Sequence, residues 1–154
     1  MDILTIGEVL IDLTQTGKDA RGIPQFAANP GGAPANVLAM NARLGGKTAF
    51  IGKVGKDGFG DFLRQTLVES SIDVSGLVID EKIPTTLAFV QLDSKGDRSF
   101  TFYRNPGADV MLTSAEVNRN LIDDAAIFHF KCNNRILCHI FYLLFSMPFG
   151  TEHY

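Results

Sequence analysis

The chain has 154 residues, 45% hydrophobic and 20% charged, with no tryptophan and a formal net charge of -3. That balance excludes a disordered or fibrous chain. A domain of this length buries roughly 68–70% of the surface its unfolded chain exposes; the mild acidity leaves no basic footprint for nucleic acid or an anionic membrane, so a small molecule is the expected partner.

Residues 3–7 make a short apolar run ending in Gly7, which predicts a buried strand, and Val9, Ile11 and Leu13 then alternate with polar neighbours as a half-exposed strand does. Gly17 and Gly22 bracket a polar turn, residues 23–28 can pair back, and Pro30-Gly31-Gly32 closes a hairpin that leaves the core as a lid. Pro34 suits the first turn of a helix, where its missing N–H costs nothing; Val37, Leu38, Ala39 and Leu44 supply apolar faces, and Gly45-Gly46 a left-handed stop. Residues 48–54 read as a second buried strand, residues 55–60 as a flexible connection, and Phe62, Leu63, Leu67 and Val68 as a further helix. Strand, helix, strand, helix predicts a mostly parallel α/β sheet. Residues 87–92 and 99–103 flank the polar turn Asp93-Ser94-Lys95-Gly96-Asp97, a second hairpin excursion. Thr113 and Glu116 have capping-box spacing and open a helix to about Asp124, after which residues 126–130 return as a strand.

The pattern changes after Phe130. Both cysteines and two of the three histidines lie in residues 131–154, whereas 14 of the 15 glycines precede them. Cys132 and Cys138 fit neither a CxxC redox pair nor a zinc knuckle, and two reduced thiols are expected. Residues 136–147 are strongly apolar, but about 12 residues broken by His139 and Ser146 fall short of the about 20 that a membrane span needs. No basic leader or transit-like segment opens the chain, so a cytoplasmic location is expected by default.

Gly31-Gly32-Ala33-Pro34-Ala35-Asn36 allows a close backbone approach and then points a helix N-terminus at whatever sits there, an arrangement suited to oxygen-rich ligands. Asn36 offers both a donor and an acceptor, which suits a hydroxyl better than a phosphate; a plain tight turn and helix start is the alternative. Asp12 lies among apolar neighbours, where a carboxylate needs donors such as the two hydroxyls of a sugar diol, although an exposed strand-edge aspartate fits the pattern as well. Gly46-Lys47-Thr48 is no Walker loop, because Asn41 stands where its first glycine belongs. Gly52, Gly55, Gly58 and Gly60 miss the dinucleotide spacing. His129 has no nucleophile or carboxylate at triad-like spacing.

Four ordered motifs carry a family likeness: Ile6-Gly7-Glu8-Val9-Leu10-Ile11-Asp12, Pro30-Gly31-Gly32-Ala33-Pro34-Ala35-Asn36, Leu44-Gly45-Gly46 and Ile51-Gly52-Lys53-Val54-Gly55-Lys56-Asp57-Gly58-Phe59-Gly60. Thr86-Leu87-Ala88-Phe89-Val90, Phe102-Tyr103-Arg104-Asn105-Pro106 and Ile127-Phe128-His129-Phe130 continue it. Over residues 2–130 the chain resembles the ribokinase/PfkB family of carbohydrate kinases, with wording closest to plant-type fructokinases. The resemblance implies a ribokinase-like three-layer α/β sandwich with a β-strand lid, from segments at about 9–29 and 86–105, covering about the first half of that fold. It implies ATP-dependent phosphorylation of D-fructose to fructose 6-phosphate, with ATP and Mg2+ as cofactors. Asp12, Gly31, Gly32 and Asn36 match sugar-binding positions, Phe102 and Arg104 match the lid over the sugar, and lid strands of the family often form a dimer interface.

The family's GAGD motif, with its catalytic aspartate and anion hole, does not occur in these residues, nor does its Asn-x-x-Glu magnesium motif. Gly107-Ala108-Asp109 lies in the lid return and is no substitute. Residues 1–130 are therefore expected to be the sugar-binding part of such a kinase domain, and 131–154 a non-family tail from a frameshift, a retained intron or a gene-model error. Three functions compete: a kinase by descent that is inactive alone, an interaction module pairing with a full-length kinase through its lid, and a translated fragment without a role.

Overall fold

The computed structural model describes residues 1–92 and 98–130; the turn expected at 93–97 and the tail at 131–154 lie outside them. The strands are β1 (Ile3–Ile6), β2 (Leu10–Lys18), β3 (Pro24–Gly31), β4 (Thr48–Gly55), β5 (Ile72–Asp80), β6 (Leu87–Leu92), β7 (Arg98–Tyr103) and β8 (Ile127–Phe130). The helices are α1 (Ala33–Arg43), α2 (Gly58–Glu69) and α3 (Arg119–Asp123), with 3-10 turns at Ala108–Val110 and Ser114–Glu116.

Two sheets result. One has the order β5-β4-β1-β8, and all its pairs are parallel. All eight residues of β4 are buried, as expected of a strand covered on both faces. Alternation divides them: Phe50 and Val54 pack with Leu38 of α1 and Leu63 and Leu67 of α2, while Ala49 and Ile51 pack with Leu112 and Val117 on the opposite side. These layers are those of a ribokinase-like α/β sandwich. The second sheet, β3-β2-β6-β7, is the lid. The two hairpins expected from the sequence join in it, because β2 and β6 pair in parallel, Ile11 opposite Leu87 and Asp12 opposite Ala88.

Several local expectations are corrected. Residues 55–60 are not a loose connection: α2 begins at Gly58, and the Asp57 carboxylate caps it, accepting from the Gly60 N–H at 2.8 Å and from the Thr85 N–H and hydroxyl, both at 2.8 Å. Burial opposes ionisation of Asp57, yet these donors prevail and hold its carboxyl below the usual range. The second strand of the first hairpin is longer than the expected 23–28: β3 runs to Gly31, inside the closing Pro30-Gly31-Gly32. Of the apolar residues expected on the helix faces, Leu38, Leu63 and Leu67 are buried and carry the contacts, whereas Val37, Leu44, Phe62 and Val68 are exposed. The capping box at Thr113 and Glu116 forms, but around a 3-10 turn. Val117 is extended and buried beside Leu4 and Ile51, which breaks the expected helix before Asn118 caps α3.

Candidate functional site

The site lies where the lid leaves the parallel sheet. Asp12 is half-buried in β2, and the register places it beside Ala88 of β6, which faces Phe102 of β7. Registered neighbours share a face, so Asp12 and Phe102 project from the same side of the lid. Gly31, at the end of β3, adjoins the Asp12 carboxylate so closely that a Cβ there would run into it. Gly32 has φ 113°, and a Cβ would meet the Glu8 carbonyl. Both glycines thus leave space that the lid's exit and the Asp12 carboxyl fill. Burial, followed by the charge of Glu8, pushes the Asp12 carboxyl above its ordinary pKa.

Arg104 follows β7 and brings the lid's far edge back to the site. Its guanidinium lies 5.3 Å from the Phe102 ring centre, and its Nη2 is 2.5 Å from Asp109 Oδ2 and 3.3 Å from Glu8 Oε2. Asp109 is fully enclosed and also accepts a short hydrogen bond from the Thr86 hydroxyl at the foot of β6. Burial drives the Asp109 carboxyl upward in pKa, against the pull of Thr86 and Arg104.

Asp12, Gly31, Phe102 and Arg104 are therefore assembled around the lid base. Asn36 is exposed on α1, and with Val9, Gly31, Ala35 and Leu67 it lines an adjoining cavity of about 210 Å³. Gly32 precedes α1, and no side chain caps the helix there. Glu8, Thr86 and Asp109 join the site although no sequence pattern marks them as binding residues, and Gly107-Ala108-Asp109 reads only as a lid return. The available signal was an acidic residue five positions after Arg104 in a segment whose neighbours are glycine and alanine.

Glu8, Asp12 and Asp109 make the site acidic around a single guanidinium, a set of acceptors that suits hydroxyl groups and not a triphosphate. Among the described residues no group of three or more His, Cys, Asp or Glu is placed to hold a metal ion. The acidic cluster around Arg104 does not fit a triphosphate. No helix among them is long and apolar enough to cross a membrane.

Comparison with known proteins follows the same lines. Fructokinase-1 of Oryza sativa subsp. japonica is 48% identical over 130 residues, 83% of this chain and 40% of that protein. The crystal structure of a fructokinase from Xylella fastidiosa superposes with a TM-score of 0.85 at 38% identity, over 92% of this chain and 45% of that one. An uncharacterized sugar kinase from Pyrococcus horikoshii, crystallised in complex with ATP, gives 0.76 at 40% identity, over 83% of this chain and 42% of its own. The chain spans about two fifths of the length of the curated relatives it matches. The family described as pfkB family carbohydrate kinase matches residues 1–140, and on that match, with the shared α/β fold, the chain belongs to the pfkB family of carbohydrate kinases.

Proposed function

We propose that the chain forms the sugar-binding part of a fructokinase, an enzyme that transfers phosphate from ATP to D-fructose in the cytoplasm and yields fructose 6-phosphate. The observation that carries this is the half-buried Asp12 carboxyl, kept clear of side chains by Gly31 and facing the same way as Phe102. As an acceptor with two oxygens it takes two sugar hydroxyls. Gly32 and Asn36 border the sugar from the start of α1, and Phe102 and Arg104 cover it from the lid, limiting its contact with water. The relatives named fructokinase support fructose over other sugars.

The acidic cluster at the lid base does not fit a triphosphate. The full 154-residue chain is proposed to bind fructose without turning over ATP. The lid also offers a surface for a homodimer, or for pairing with a longer kinase, since Phe100, Phe102 and Tyr103 are each at least half exposed.

Titration calorimetry with the full chain tests the binding. Fructose binds, and Asp12→Ala weakens it by about 1.5–3 kcal/mol, the worth of hydrogen bonds to a charged group, while the melting curve stays near that of the parent. Undiminished binding by a folded Asp12→Ala chain overturns the assignment. Fructose-dependent ADP release by the same chain would overturn the proposal that it binds only.

A further inference from the structure

We propose that Glu8 and Asp109 set the charge specificity of the site: by holding Arg104 between two carboxylates, they make it accept uncharged polyhydroxy sugars and refuse sugar acids. The inference rests on the sugar-binding role proposed above. A guanidinium beside a sugar site is ordinarily the group that captures a carboxylate, through paired N–H donors. Here that capacity is already engaged. Nη2 of Arg104 is shared between Asp109 and Glu8, whose side chains are 1% and 14% exposed and cannot swing into solvent to release it. Asp109 is fixed in turn by the Thr86 hydroxyl.

Arg104 Nε, by contrast, is buried and has no hydrogen-bond partner among the described residues. A buried N–H of this kind calls for an acceptor, and an uncharged hydroxyl or ring oxygen provides one without bringing a fourth negative charge beside Glu8, Asp12 and Asp109. A carboxylate in the same place meets three like charges against one guanidinium. Glu8 and Asp109 are thus positioning residues that act through Arg104.

The probe pair is D-fructose and 2-keto-D-gluconate, which is fructose with its C1 hydroxymethyl oxidised to a carboxylate. Binding of each to the full chain is measured by calorimetry, for the parent, Asp109→Asn and Glu8→Gln. Either substitution is expected to raise affinity for the acid relative to fructose by about tenfold or more, since one opposing charge disappears and part of Arg104 is released. Adding Arg104→Met to Asp109→Asn is expected to abolish that gain, which separates release of the guanidinium from a general change in charge. A purely structural role for Asp109 would weaken both ligands together and leave their ratio unmoved. Should Asp109→Asn fail to fold, Glu8→Gln decides the matter. An unchanged affinity ratio in the folded variants overturns the inference, as does a gain that survives Arg104→Met. If the parent binds no fructose, the proposed function fails, but a gain of 2-keto-D-gluconate binding in the variants, read directly, still decides whether Glu8 and Asp109 restrain Arg104.

Discussion

Gly31 shows how a missing side chain can define a site. The carboxyl of Asp12 occupies the volume a Cβ would need, so any larger residue must displace the acid or the strand that carries it. Gly31→Ala is expected to cost about 1–3 kcal/mol of stability, the usual range for overpacking, and to weaken fructose binding more than the stability loss accounts for. Thermal unfolding and calorimetry on the same sample check both parts, and a variant with the parent's melting curve and affinity would contradict them. The sequence pointed to Gly31 and Asp12 separately, since a glycine pair before a helix and an acid among apolar residues are local signals. Their contact was not legible, because it depends on β2 and β3 pairing in register. Asp109 was hidden for a related reason: its partners Thr86 and Arg104, and Glu8, which shares Arg104 with it, come from other points of the chain.

Between elements, the main polar fastening is Lys53. It lies in β4 with its side chain 8% exposed, and its ammonium reaches Asp80 of β5 at 2.9 Å and Glu116 of the second 3-10 turn at 2.8 Å. Hydrogen bonding to Lys53, with help from the N–H groups of Lys82 and Ile83, lowers the Asp80 carboxyl from its ordinary 3.8 to about 2. A carboxyl depressed by folding adds stability above its unfolded pKa, and that contribution is lost as the pH falls through the folded value. Asp80 therefore stabilises the chain fully above about pH 4, and its share disappears towards pH 2. Across that window the parent's stability should fall more steeply than that of Asp80→Asn, by at most one proton's worth, about 1.4 kcal/mol per pH unit. Urea unfolding at a series of pH values measures the two slopes, and equal slopes would count against the assignment. The element β5 itself escaped the sequence reading. Its pairing with β4 slips between Ala49 and Ile51, and such an irregularity interrupts the period-two pattern by which strands are recognised.

Across the whole molecule, the lid is one plate built from two distant hairpins. Each hairpin was legible from its own turn and alternation, and so was the α/β order of the body; the β2–β6 pairing that unites them leaves no local mark. One lid face carries Phe26, Phe89 and Tyr103 in edge and tilted contacts at 5.4 and 5.2 Å, and Tyr103 is 65% exposed. If the proposed self-association uses this row, Tyr103→Glu should shift the sedimentation of the full chain towards monomer without lowering its melting temperature. A parent that sediments as a monomer at every concentration tested would remove the lid dimer from consideration.

The ion pair between Arg104 and Glu8 joins positions 96 residues apart in the chain. Between them lie β4, α2 and β5, which assemble from nearer neighbours. Contacts so distant in sequence close late, after local ones have shortened the loop to be spanned. During synthesis the first hairpin leaves the ribosome long before the second, and Asp12 must wait beside Gly31 with half of its sheet still unmade. A nascent chain released or cleaved before Phe102 therefore carries Asp12 and Gly31 but lacks the Phe102 and Arg104 that complete the lid base.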